Sequence, residues 1–211
     1  MEVKSSVSLL EANGVSTQVV FAAQEFLRKQ FIANPSYSFN NADIMINHSI
    51  QVMDVAVDIG SQIPECDLLV VSLGALFHDI GKVAKVSPEI LKDRHSEYNW
   101  VIASEFLNGI VLTPEQTEKL KNILYERPET LKSCVEQQAV KDGDRISFMK
   151  DYVLQKALYD WAEGIHTGTG ILELQKKLNN VTSLVFERSK ELAKEPYENM
   201  RNKWGLNTTT Q

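Results

Sequence analysis

Apolar positions recur along this chain at intervals of three and four, and nowhere do they alternate long enough to make a strand. Over residues 42–59 the stripe Ile44, His48, Val52, Val55 and Ile59 marks one helix face and sets an imidazole among aliphatic side chains. A continuous apolar run, Leu68–Phe77, includes Ser72, Gly74 and Ala75, small residues that let a buried helix approach its neighbours. His78 and Asp79 follow at its C-terminal end, and Gly81 is placed to take the left-handed conformation that ends helices. Residues 131–148 read as a further helix on which Val140, Asp144 and Phe148 share a face. Asp144 is therefore predicted to point inward, with Asp142 and Arg145 reaching solvent.

The remaining segments follow the same period. Ser16 and Thr17 cap a helix to about residue 33, with Val19, Val20, Ala23, Phe26, Leu27 and Phe31 on its buried side, and Pro35 stops it. Ser87 before Pro88 opens a short helix through Leu91. A helix after His95 buries Trp100, Val101, Ala103, Phe106 and Leu107. Thr113, Pro114 and Gln116 form a capping box for a helix through about Tyr125, and Pro128 separates it from the helix that carries Asp144. Residues 148–161 continue helical, and Gly164, Gly168 and Gly170 mark a loop. Two more helices cover 171–179 and 181–194. The predicted fold is all-α, a compact single-domain helical bundle. It comprises a flexible segment over 1–15, a core over 16–163, a helical extension over 164–195 packed on that core, and a polar tail over 196–211.

Composition narrows the function classes. A chain of 211 residues with 43% hydrophobic content buries a real core and is not disordered. The formal charge of −6 disfavours sequence-indifferent nucleic-acid binding. One local basic cluster, Lys82, Lys85, Lys92 and Arg94, is offset by Glu89 and Asp93. No apolar run approaches the ~20 residues of a membrane span, so no membrane partner is expected. Cys66 and Cys134 lack any CxxC context, which points to a reducing compartment, the cytoplasm.

The chemistry sits with the histidines. A buried carboxylate is costly unless paired or bound to a metal. Imidazole and carboxylate together suit Zn, Mn, Fe, Co or Ni, and Mg where oxygens dominate. Taken alone, His78 and Asp79 are equally an ordinary helix end with a core hydrogen bond. The ordered set His48, His78-Asp79 and Asp144, each on a separate predicted helix, favours the metal.

In order and spacing that set resembles the HD superfamily of metal-dependent phosphohydrolases. Its signature is a lone His, an adjacent His-Asp pair and a later Asp around one metal. Asn47-His48-Ser49-Ile50 resembles the first motif, His78-Asp79-Ile80-Gly81-Lys82 is the HDIGK form of the second, and Lys141-Asp142-Gly143-Asp144-Arg145-Ile146 resembles the last. The resemblance covers roughly residues 42–149. It implies an HD-type bundle and a divalent ion (Mn, Mg, Co, Ni, Zn or Fe) held by His48, His78, Asp79 and Asp144. The implied activity is hydrolysis of a phosphomonoester or phosphodiester by a metal-activated water, on a nucleotide or related small phosphorylated metabolite. Asp79 and Lys82 are the expected catalytic residues, Lys82 because its flexible ammonium can reach a phosphate. A cation favoured near a helix C-terminus is the equal alternative for Lys82.

His95 extends the resemblance. His95-Ser96-Glu97-Tyr98-Asn99 resembles a degenerate form of the His-Pro-x-x-Gly stretch of members that bind two metals, with Asn99 in the glycine position. His95 is thus a candidate phosphate contact or second-metal residue. The second inserted histidine of those members has no counterpart near Tyr125, where Glu126 is the acidic substitute on offer. That departure weighs against cyclic-dinucleotide phosphodiesterases, two-metal nucleases and di-iron oxygenases, and favours one metal. Single-metal nucleotidases usually carry an acidic residue where Lys82 stands, so that branch is not cleanly matched either. His166, among Gly164, Gly168 and Gly170, reads as part of a surface loop because no strand precedes it. Two alternatives stay open: a di-iron oxygenase, and a non-catalytic regulatory domain that binds metal or nucleotide. A homodimer is also left open.

Overall fold

The apolar run ahead of His78 becomes a buried helix on which four others pack. The computed structural model describes residues 5–34, 41–86, 88–125 and 133–207. Among them the chain forms α1 (Ser6–Ala12), α2 (Thr17–Ala33), α3 (Ala42–Gly60), α4 (Leu68–Phe77) and α5 (Pro88–Leu107). It continues with α6 (Pro114–Leu124), α7 (Val135–Lys150), α8 (Tyr152–Ile165), α9 (Thr169–Asn179) and α10 (Glu187–Trp204). No strand occurs among the described residues, and the fold is the all-α bundle that the periodicity predicts.

Asp67 starts α4 by accepting the backbone N–H groups of Leu69 (3.0 Å) and Val70 (3.2 Å), the usual role of an N-cap carboxylate. Every α4 residue except Leu69 is buried. The helix lies against α2, α3, α6 and α7. At its far end Phe77 meets Phe26 of α2 and Phe106 of α5, with ring centroids 5.6–5.9 Å apart. This aromatic cluster fixes where α4 stops, and therefore where His78 and Asp79 emerge.

Gly81 does not end the helix as predicted. Among the described glycines positive φ is confined to Gly14, Gly168 and Gly205, and Gly81 lies in a 3₁₀ turn, Ile80–Val83. Its reason is space. A Cβ there would sit 2.0 Å from the His95 carbonyl oxygen and 2.9 Å from the Asn99 backbone nitrogen, so only glycine lets α5 lie directly on the turn. Between α3 and α7 a second glycine plays the same part. A Cβ on Gly143 would come within 3.0 Å of Ala56 Cβ and 3.1 Å of Val52 O.

Several predicted boundaries move. Residues 1–15 contain α1, whose Leu10 is 1% exposed and whose Ser6 hydroxyl donates to Asp54 on α3. The two segments predicted on either side of Arg94 join as α5, with a kink at Arg94 (φ −133°, ψ 15°). The helix predicted across 148–161 is broken at Asp151, which closes α7 and caps α8 by accepting from Leu154 N–H at 3.0 Å. The glycine loop shrinks to the few residues around His166, with Gly164 inside α8 and Gly170 inside α9. The polar tail predicted from Pro196 is helix as far as Trp204, with Pro196 and Met200 buried. Ser87, Pro35, Glu126 and Pro128 lie outside the described residues, as do the side chains of Leu91 and Lys92.

Asp142 also departs from its prediction. It is 0% exposed and accepts hydrogen bonds from Val185 N–H (3.0 Å), Phe186 N–H (3.4 Å) and Gln138 Nε2 (2.9 Å). Arg145 adds an ion pair at 3.3 Å and also donates to Ser183 O at 3.2 Å. The segment leading into α10 is therefore pinned to α7 next to Asp144.

Candidate metal centre

Three helices deliver three side chains to one point. His48 on α3, His78 at the end of α4 and Asp144 on α7 offer ligand atoms that all lie within 4.8 Å of one another. His48 Nε2 is 3.0 Å and His78 Nε2 is 3.7 Å from Asp144 Oδ1. Two atoms bound about 2.1 Å from a common ion are themselves about 3.0–3.4 Å apart, in octahedral or tetrahedral geometry. The His48–Asp144 spacing is that of one coordination shell, and the His78–Asp144 spacing lies a few tenths of an ångström outside it.

The orientation of His78 supports the same conclusion. Its Nδ1 donates to Ala75 O at 2.7 Å, so in the neutral ring the lone pair is on Nε2. That Nε2 is buried and has no hydrogen-bond partner. An orphaned buried acceptor next to a carboxylate fits a cation that completes it. Burial alone would drive the His78 pKa down, but Asp79 and Asp144 outweigh it and raise the value to about 9. A pocket that holds a proton this firmly attracts positive charge, and a divalent ion competes for the same lone pair.

Asp79 stands beside this group and outside it. Its Oδ2 lies 3.5 Å from His78 Nε2 and 2.5 Å from Lys82 Nζ, and its Oδ1 lies 3.2 Å from His95 Nε2. Burial raises its pKa, but Lys82, His78 and His95 together hold the carboxyl well below the usual range. Asp144 behaves alike: burial is outweighed by His48 and His78, and its carboxyl is held well below the usual range.

Lys82 sits against Asp79. Its ammonium neutralises Asp79 and does not line the cavity beside the centre. That cavity, of about 170 Å³, runs between α5, α6 and α7, with His78, Asp79, His95 and Asp144 at its floor. Among the described residues that line it, Lys141, three residues before Asp144, is the sole lysine or arginine. His95 does lie in the cavity, whereas His166 is exposed at the C-terminal cap of α8. Glu163 accepts the N–H groups of Gly168 and Gly170, both at 2.8 Å, so a carboxylate already fills the place a phosphate would take there. Arg94 of the predicted basic cluster pairs instead with Glu97, at 2.6 Å.

Asn99 is a site residue that the pattern of ligands does not reveal. It is 2% exposed, accepts from Gly81 N–H at 2.7 Å, and donates from Nδ2 to His78 O. Backbone groups of fixed polarity on both sides leave its amide one orientation. The side chain thus clamps the turn that carries His78 and Asp79 against α5. Lys141 and Gln137 were missed although a signal existed: with Val140 and Asp144 they form an i, i+3, i+4, i+7 stripe on α7.

Comparison with known proteins adds three findings. Residues 45–149 match the family model described as HD domain. A tRNA (cytidine(56)-2'-O)-methyltransferase of Picrophilus torridus is 30% identical over 155 residues, which cover 70% of this chain and 44% of that protein. The chain therefore spans less than half the length of that relative. No solved structure matches the chain significantly.

Proposed function

From the premise that the chain belongs to the HD-domain superfamily, its HD domain covering residues 45–149, we propose that it is a metal-dependent phosphohydrolase. Its substrate in this reading is a small phosphorylated metabolite, with nucleotides the first class to screen. The observation that carries the reading is the buried Nε2 of His78, which lacks a hydrogen-bond partner and lies within 4.8 Å of ligand atoms of His48 and Asp144. His48, His78 and Asp144 would hold the ion, with Asp79 as an adjacent fourth donor. When bound, a divalent ion supplies a Lewis acid that ionises a water near neutral pH and polarises a phosphoryl oxygen.

The protein's own residues set the rest. Asn99 fixes the backbone that presents His78 and Asp79. Asp79, held ionised by Lys82, is too weak a base to carry protons and serves as a fixed anion. It orients His95, whose ring lines the cavity and is the candidate donor of a proton to the leaving group. The lack of a second inserted histidine near Tyr125 favours one ion over the two of a di-iron oxygenase. Methyl transfer, named for the Picrophilus protein, is not carried over from a relative of which this chain spans 44%. No helix among the described residues is long and apolar enough to cross a membrane, and two thiols without a CxxC motif support the cytoplasm as its compartment.

Metal content by mass spectrometry, with turnover of an aryl phosphate, tests the proposal. Wild type is expected to hold about one divalent ion per chain and to hydrolyse the ester. Asp144→Ala is expected to lose both, while His95→Ala keeps the ion and loses turnover. A chain that takes up no Mn, Co, Ni, Zn, Fe or Mg overturns the centre. A metal-loaded chain that hydrolyses no phosphoester would instead be a binding domain.

A further inference from the structure

The wall of the cavity has a polarity of its own. Gln137, Val140, Lys141 and Asp144 form one stripe along α7, so the residues that line the cavity on this helix run from Asp144 through Lys141 to Gln137. Among the described residues that line it, Lys141 is the sole lysine or arginine. Gln137 is 7% exposed, and its Nε2 donates to Asn122 O at 2.6 Å. A backbone carbonyl only accepts, so the amide nitrogen must face Asn122 and the oxygen Oε1 is the end left to the cavity. An acceptor there repels a second phosphoryl group and welcomes an O–H or N–H donor.

We propose that Lys141 and Gln137 select a small phosphomonoester whose leaving group carries a hydroxyl or amino donor. Lys141 takes the phosphoryl oxygens beside the metal centre and Gln137 Oε1 takes the donor. Four residues of helix separate them by about 6 Å, the reach from a phosphoryl group to a hydroxyl on a short polyol or sugar. The cavity volume of about 170 Å³ agrees with this size. It falls below the roughly 300–1,000 Å³ that encloses larger ligands, and so disfavours dinucleotides and polynucleotides. Ile123 and Val140 give the cavity an apolar side against the carbon frame of such a substrate. This inference rests on the phosphohydrolase reading for its chemistry, and on the cavity lining alone for its binding.

The test uses the full chain loaded with metal and titrated with orthophosphate, glycerol phosphate and propyl phosphate, the last lacking any donor. Wild type is expected to bind orthophosphate, and Lys141→Met to bind it about tenfold more weakly or worse at unchanged metal content. Lys141→Arg is expected to restore binding to within about threefold, because it keeps the charge. Wild type should favour glycerol phosphate over propyl phosphate by about tenfold, and Gln137→Met should erase that ratio. The ratio is internal to each variant, so a loss of stability in Gln137→Met does not mimic the result. Unchanged orthophosphate binding in Lys141→Met overturns the proposal, as does equal handling of the two esters by wild type. Metal uptake without orthophosphate binding also overturns it and leaves the metal centre standing. Lys141-dependent binding without hydrolysis would instead sustain this proposal and sink the catalytic reading.

Discussion

Two backbone groups at the site depend on one side chain. The Gly81 N–H and the His78 carbonyl both end on the amide of Asn99, in a place with almost no solvent. Asn99→Ala leaves both without partners, at a cost of about 1–3 kcal/mol each. A loss of roughly 2–4 kcal/mol in urea unfolding is expected, together with weaker metal retention, because His78 loses its backbone anchor. Unchanged stability would show that the turn holds without the clamp. At this scale the three grouped side chains are legible in the sequence, since His48 and Asp144 stand where helical phase puts them and His78 where the apolar run ends. Their supports are not. Asn99 reads as a departure from a glycine, and nothing in a sequence reveals that its amide faces two backbone groups from another segment. Helical phase alone turns Asp142 to solvent, because the covering segment 183–186 lies some forty residues downstream.

Helices meet at the site only where their surfaces are small. Gly143 lets α7 ride against Val52 and Ala56 of α3, which brings Asp144 within 3.0 Å of His48. Gly143→Ala is expected to push the two helices apart by a few tenths of an ångström and destabilise by about 1–3 kcal/mol, measured by thermal unfolding. A second junction lies at the other end of α7. Glu136 is 0% exposed and accepts from Asp67 N–H (3.0 Å) and Lys119 Nζ (2.9 Å), tying α7 to α4 and α6. Burial raises its carboxyl pKa, but those two donors win and the net shift is downward. A carboxyl whose folded value lies below an unfolded value of about 4.3 contributes stability above that pH and loses it as pH falls through the folded value. The stability gap between wild type and Glu136→Gln should therefore be full at pH 7, about 1–3 kcal/mol, and should close under acid. A gap that is flat with pH would mean that Glu136 acts by packing alone. Helix bodies were legible because their apolar phase repeats over several turns. α1 was not, since seven residues with one buried leucine show no period. Nor was the break at Asp151, where the apolar phase runs on and neither glycine nor proline marks the stop.

At the scale of the whole molecule, the question is whether the C-terminal helices are a lodger on the bundle or part of it. Reading Pro196 as a stop hid a helix whose buried face runs Ala193, Pro196, Met200, with Tyr197 and Trp204 packed alongside. Trp204 stacks on Tyr159 at 5.1 Å and donates its indole N–H to Gln155 at 2.8 Å. Arg188 on α10 grips Asp58 on α3 through two hydrogen bonds of 2.8 and 3.1 Å. The deepest tie is the Asp142 carboxylate, which holds the entry to α10 from the residue two before Asp144. These links run to α3 and α7, the helices that carry His48 and Asp144. The extension and the metal centre should therefore melt together. Asp142→Ala strips a buried anion from its donors and is expected to cost about 3 kcal/mol or more. Urea unfolding followed by circular dichroism and by tryptophan fluorescence should still give one coincident transition, shifted to lower denaturant. Two separated transitions, with fluorescence from Trp161 and Trp204 changing first, would mean that α8–α10 fold as their own unit and that the site does not need them. A single shifted transition would mean that Asp142, two residues from a ligand, holds both together, so that a lesion in the extension weakens the metal centre without touching it.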